Sequence, residues 1–189
     1  MTADLVIGID CSTTASKTVA WDRMGRPIAE GRAALDILAP HPSWGEQDED
    51  SWWSATVAAI HTVIAKVDPA RIAALCITHQ RETFVPVDAA GHPLRPAILW
   101  LDERSRPQLA ELDRRFGHAT LHRLTGRPLS VSQSLPKLLW LLEHEPRAIK
   151  KAAHIVDVGA VLLRRLTGQS VTSLASADPM GIVDLAHGR

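Results

Sequence analysis

Residues 5–9 form a short apolar run closed by Asp10, the pattern of a buried strand that ends at a carboxylate. After the polar stretch Cys11-Ser12-Thr13-Thr14-Ala15-Ser16, a second strand is predicted over 17–22. Met24-Gly25-Arg26-Pro27 supplies a hairpin turn, and 28–35 completes an antiparallel meander. Residues 40–50 hold prolines, Gly45 and several carboxylates and read as a loop, with Asp48 or Asp50 placed to cap the helix that follows. That helix is predicted over 51–66, because Trp53, Val57, Ile60 and Ile64 recur at helical spacing and make one apolar stripe; Asp68-Pro69 stops it. Another buried strand is expected over 72–77, and 84–87 should pair with 97–100 around Ala90-Gly91-His92-Pro93. Helices are predicted over 103–116, 135–143 and 158–166, the last ended by Gly168. Residues 173–188 read as loop with strand fragments. This order of elements predicts an α/β domain with a mixed sheet, and the lack of a closing element implies that more chain should follow.

Composition narrows the function classes. A chain of 189 residues that is 46% hydrophobic fits one good-sized domain or two tight ones. Its 21 basic residues balance 21 acidic ones, which leaves no broad positive footprint for nucleic acid or anionic lipid. Two cysteines, Cys11 and Cys76, are too few for a disulfide framework or a four-thiolate zinc site, and Cys76 is expected in the core. No apolar run approaches the roughly 20 residues that span a bilayer, and the early Asp4 and Asp10 do not suit a secretion signal. The expectation is a soluble, cytoplasmic chain with neither a membrane nor a nucleic-acid partner.

Three clusters carry candidate chemistry. The first is Asp10 with the hydroxyl turn and Lys17. Backbone N–H groups and hydroxyls of such a turn can donate to phosphate oxygens, and Lys17 can add a point charge. Asp10 repels phosphate, so it makes sense if a hard cation, magnesium, lies between the two. The Gly-Lys-Ser/Thr signature of a P-loop is absent, and an ordinary polar hairpin explains the same residues. The second cluster is Thr78-His79-Gln80-Arg81-Glu82-Thr83, polar throughout and placed just beyond a strand, where ligands of open α/β sheets bind. Arg81 and Glu82 offer a donor fork and a paired acceptor for neighbouring hydroxyls of a sugar or polyol; a surface loop with a local ion pair is the plainer reading. In the third cluster, Trp100 could stack on a sugar ring or fill the core, and Asp102 could bind a hydroxyl or cap a helix. His118 and His122 lack the glutamate of a zinc-protease motif, and Ser16, Ser105 and Ser134 lack nucleophile-elbow glycines.

Taken in order, these blocks resemble the N-terminal domain of the FGGY carbohydrate kinases, the group that includes glycerol kinase and xylulose kinase. Ile7-Gly8-Ile9-Asp10-Cys11-Ser12-Thr13-Thr14-Ala15-Ser16-Lys17 is similar to the family's phosphate-binding hairpin. Trp44-Gly45-Glu46-Gln47-Asp48 with Trp52-Trp53 resembles its pre-helix block. Gln80-Arg81-Glu82-Thr83 and Ala97-Ile98-Leu99-Trp100 resemble the substrate loop and the strand beyond it. Val156-Asp157, Leu166-Thr167-Gly168 and Ala175-Ser176 resemble the closing blocks. The resemblance covers nearly the whole chain. It implies a ribonuclease H-like fold of the actin and hexokinase type, with ATP and sugar bound between two such domains. It also implies roles: Asp10 on magnesium, Ser12, Thr13, Thr14 and Lys17 near the ATP phosphates, and Gln80, Arg81, Glu82 and Trp100 around the acceptor.

Departures from the family pattern refine the expectation. Ser12 stands where the hairpin usually has glycine. The Gln-Arg-Glu-Thr block matches glycerol kinases rather than xylulose kinases, yet Ser132 stands where glycerol kinases place a tyrosine against the polyol, and the chain has no tyrosine. A ligand larger than glycerol, a pentulose or longer polyol, is therefore expected. Family members run to about twice this length, and their second domain supplies the catalytic base. The chain is expected to be the N-terminal half of an ATP-dependent carbohydrate kinase, inactive alone, with the missing C-terminal domain as its partner. An apolar patch left open by that absence should favour a homodimer or poor solubility. The competing readings are a catalytically dead sugar-binding or sensing module of the same fold and an actin-like assembly protein.

Overall fold

Each of two compact units is built on its own four-stranded sheet. The computed structural model describes residues 3–188. In chain order the elements are β1 (Leu5–Cys11), β2 (Ala15–Trp21), β3 (Pro27–Ala34), β4 (Glu46–Gln47), α1 (Glu49–Ile64), β5 (Ile72–His79), β6 (Phe84–Val87), β7 (Ala97–Ile98), α2 (Arg106–Phe116), α3 (His118–Thr125), α4 (Ser134–His144), α5 (Pro146–Lys151), β8 (His154–Asp157), α6 (Val158–Thr167) and α7 (Leu174–Ala177). Among the described residues no helix is long and apolar enough to cross a membrane.

The first unit comprises the chain up to Ile37 together with Asp50–Gln80. Its sheet runs β3-β2-β1-β5, with the meander antiparallel as expected and β5 parallel to β1. Alternation puts Leu5, Ile7 and Ile9 on the face that packs with Ala20, Ala29, Val63 and Val67. The turn between β2 and β3 follows its chemistry: Asp22 accepts from the backbone N–H groups of Met24 and Arg26, and Gly25 takes a positive φ of 73°. The helix α1 approaches this sheet so closely that a Cβ on Gly31 would lie 2.1 Å from the Ala59 carbonyl oxygen.

That proximity corrects the predicted stripe. Trp52, Ala55, Thr56, Ala59 and Val63 are buried, as is Glu49 at the start of the helix, whereas Trp53, Val57, Ile60 and Ile64 are only half-buried. Opposite Gly31 the close approach admits only a small side chain at Ala59, whereas Trp52 is fully buried elsewhere along the helix, and apolarity alone reveals neither. The expected burial of 72–77 is also corrected. As the outermost strand, β5 has a neighbour on one side only, and Ala73 to Cys76 are exposed, so Cys76 is not a core residue.

The second unit contains Leu38–Glu49 and the chain from Arg81 onward. Its sheet order is β4-β7-β6-β8, all antiparallel, and Phe84 pairs with Ile98 as expected. Phe84, Ile98, Trp140, Leu141 and Met180 form its core. Gly117, Gly126 and Gly168 end α2, α3 and α6 with positive φ. α3, α5, β8 and the two-residue β4, which falls within the expected loop over 40–50, are additional to the predicted elements, and a short helix, α7, replaces the expected strand fragments near the end. All five are short, and segments of two to eight residues carry too little periodicity to separate helix from strand.

Candidate functional site

In the first unit, antiparallel pairing sets Asp10 opposite Lys17 and parallel pairing sets it beside Thr78. Cross-strand partners share a face, so the three side chains meet at the carboxyl end of β1. The recess there measures about 320 Å³ and includes Gly8, Trp21 and Cys76 in its lining. Asp10 is exposed and its carboxylate accepts no hydrogen bond or ion pair among the described residues. Lys17 pairs with Glu30 at 3.1 Å, with both side chains about half exposed. Such a contact holds Lys17 by only ~0–1 kcal/mol, so a phosphate can compete for it.

The turn itself is tightly made. Ser12 donates to the Ala15 carbonyl through both its backbone N–H (3.0 Å) and its hydroxyl (2.9 Å), and Leu35 N–H donates to Thr14 O. Ser12 therefore closes the turn, and Thr14 stands exposed at its tip. Cys11, just before the turn, is buried, and burial pushes its thiol up to about 12. Gln80 ends this unit, buried, with its N–H on the Cys11 carbonyl at 2.9 Å.

A single carboxylate at this point suits magnesium, which takes one or two protein carboxylates and completes its shell from phosphates and water. Among the described residues no group of three or more His, Cys, Asp or Glu side chains gathers as an all-protein cage.

In the second unit, the first turn of α4 ties the segments that carry Glu82 and Trp100. Ser134 Oγ donates to the Glu82 carbonyl at 2.8 Å, and Lys137 Nζ donates to the Trp100 carbonyl at 3.3 Å. Thr83 Oγ1 accepts from the Trp100 N–H at 3.0 Å, which ties the two segments directly. Trp100 is 40% exposed, so its ring is a surface rather than core feature. Arg81 is exposed and reaches the Ala175 carbonyl at 3.3 Å. Glu82 has a φ of 65°, a left-handed backbone rare outside glycine, and its carboxylate lies 3.6 Å from Arg127.

Asp102 is committed elsewhere. It is fully buried and accepts from Gly45 N–H (2.7 Å), from Arg104 N–H (2.9 Å) and from Arg104 Nε and Nη2 (2.9 and 2.8 Å). Arg104 also donates to Glu46, which Arg95 contacts as well, and its guanidinium lies 3.8 Å from the ring centre of Trp44. This network ties the segment after Trp100 to Gly45 and Glu46. Arg127, Ser134 and Lys137 were not among the expected residues: only tertiary contacts separate them from ordinary helix and loop polar groups.

Comparison with known proteins identifies the family of the chain. Residues 5–189 match the FGGY family of carbohydrate kinases, N-terminal domain. A glycerol kinase of Thermococcus onnurineus is 33% identical over 178 residues, covering 91% of this chain and 36% of the relative. A xylulose kinase of Escherichia coli is 30% identical over 182 residues, covering 96% and 37%. Among solved structures, the xylulose kinase of Rhodospirillum rubrum superposes with a TM-score of 0.93 at 27% identity, covering 97% of this chain and 38% of that one. The gluconate kinase of Lactobacillus acidophilus gives 0.91 at 25% identity, covering 96% and 37%. The chain thus spans a little over a third of the length of the curated relatives it matches. By its sequence and by its fold, the chain belongs to the FGGY family of carbohydrate kinases, whose N-terminal domain it carries.

Proposed function

We propose that this chain is the phosphate- and sugar-binding portion of an ATP-dependent carbohydrate kinase, which moves the γ-phosphoryl group of ATP to a hydroxyl of a pentulose or polyol. The observation that carries the reading is Asp10, an uncommitted carboxylate at a strand end, facing Lys17 and beside a turn of hydroxyls. Asp10 would hold magnesium, which supplies charge neutralisation on the phosphate oxygens. Thr13, Thr14 and Lys17 would bind the phosphates, with Ser12 shaping the turn. Gln80, Arg81 and Glu82 would bind acceptor hydroxyls, and Trp100 would lie against the carbon face of the sugar.

Phosphoryl transfer depends on positioning and charge stabilisation, and the base that activates the acceptor is assigned to chain outside this sequence. The chain alone should therefore bind ligands and turn over negligibly. Calorimetry should show magnesium-dependent ATP binding that Asp10→Asn weakens at least tenfold, and binding of D-xylulose in preference to glycerol. Equal nucleotide affinity in the Asn variant would refute the phosphate-side assignment. Sugar-dependent ADP release at an ordinary kinase rate from the purified chain would refute the claim of inactivity.

A further inference from the structure

Lys137 is fully buried and forms no salt bridge among the described residues. Its ammonium instead donates to backbone carbonyls: Trp100 at 3.3 Å, Ser132 at 2.9 Å, Gln133 at 3.2 Å, and Val131. A buried cation without a bonded carboxylate is costly, and a methionine would fill the same space without that cost. What the charge adds is a cross-link between the segment that carries Trp100 and the loop that carries Ser132. We propose that Lys137 is the positioning residue of the sugar site, holding Trp100 and the 131–133 loop in one arrangement so that sugar recognition depends on this buried ammonium. The proposal rests on the sugar-binding reading given above.

The chemistry gives the cross-link a pH limit. A charged lysine has three N–H donors for the surrounding carbonyl oxygens, whereas a neutral amine has two and turns a lone pair toward an oxygen. Burial lowers the Lys137 pKa to about 8; Asp102 and Glu82, the carboxylates that face it, act to raise it, and Arg104 acts to lower it further. An unfolded lysine titrates near ~10.4. Between those values the unfolded chain binds more protons, so this group's contribution to stability rises with pH there. The same deprotonation releases the carbonyls. Sugar affinity and this group's effect on stability should therefore move in opposite directions above about pH 8. A residue that merely supported the fold would move both together.

The test compares the full chain with its Lys137→Met and Lys137→Arg variants. D-xylulose and glycerol binding are measured by calorimetry from about pH 7 to about 9.5, melting temperature is followed in the same buffers, and amide hydrogen exchange at neutral pH covers residues 100–102 and 130–134. Wild-type affinity should fall about tenfold or more across this range, because most of the ammonium is lost. Lys137→Met should bind about tenfold more weakly at neutral pH with a flat profile, and should exchange faster in the two segments but not in β1 to β3. Lys137→Arg, charged throughout, should also give a flat profile. A flat wild-type profile, or a folded Met variant that binds and exchanges like wild type, overturns the proposal while leaving the kinase reading intact. If the Met variant does not fold, the wild-type and Arg profiles decide. If neither sugar binds wild type, the functional reading fails, and the proposal about sugar recognition fails with it.

Discussion

Removing the Asp102 carboxylate is the sharpest test of the site's support. In Asp102→Ala the Arg104 guanidinium stays fully buried but loses its bidentate partner, leaving Glu46, which it shares with Arg95. Breaking one side of a buried pair costs about 3–5 kcal/mol, because the surviving charge remains desolvated. The Gly45 N–H, bonded to Asp102 at 2.7 Å, also loses its acceptor, at about 1–3 kcal/mol. Against a total stability of about 5–15 kcal/mol, a loss of about 4 or more leaves a large unfolded population. Asp102→Asn keeps the shape but turns an amide NH2 toward N–H donors on one side and removes the charge that neutralises Arg104, so it should recover little of that loss. Urea unfolding followed by tryptophan emission is a suitable assay, since Arg104 lies 3.8 Å from the ring centre of Trp44 and 5.0 Å from that of Trp140. A variant within about 1 kcal/mol of wild type that had lost only sugar affinity would refute the reasoning. It would restore Asp102 as a hydroxyl ligand, one of the roles its sequence position allows.

Other outcomes follow from local geometry. Gly31→Ala should cost about 1–3 kcal/mol in thermal or urea unfolding, since its Cβ would meet the backbone of α1 at Ala59; an unchanged midpoint would contradict that approach. A thiol reagent should modify Cys76 in the native chain and spare Cys11, which is buried and protonated at neutral pH. Magnesium-ATP should slow labelling of Cys76, which lines the same recess as Asp10, and labelling indifferent to nucleotide would argue against phosphates there. Ser132→Tyr should raise the preference for glycerol over D-xylulose by several-fold in a binding panel, and no change would remove Ser132 from the specificity argument.

The meander was legible because alternation, a hydroxyl turn and Gly25 agree over a short stretch, and Gly168 marked its helix end for a plain conformational reason. The order of motifs made the family legible. Individual polar residues were less so. Asp102 after a tryptophan reads equally as ligand, cap or anchor, and only its contact with Gly45, 57 positions away, separates these. Lys137 sits in Leu-Pro-Lys-Leu-Leu-Trp, where a helical lysine ordinarily faces water. Cys76 looked like core because its strand is apolar, whereas its exposure follows from its place in the sheet order. In each case the deciding quantity is a neighbour distant in sequence.

The left-handed backbone at Glu82 sets two demands against each other at one position. A non-glycine residue held there costs of order 1–3 kcal/mol, and an asparagine would tolerate the same conformation with less strain. Directed evolution for heat tolerance should therefore drift away from glutamate at this site, and ligand grip should decline among the survivors. Such drift would show that the chain gives up robustness here to keep a carboxylate in place.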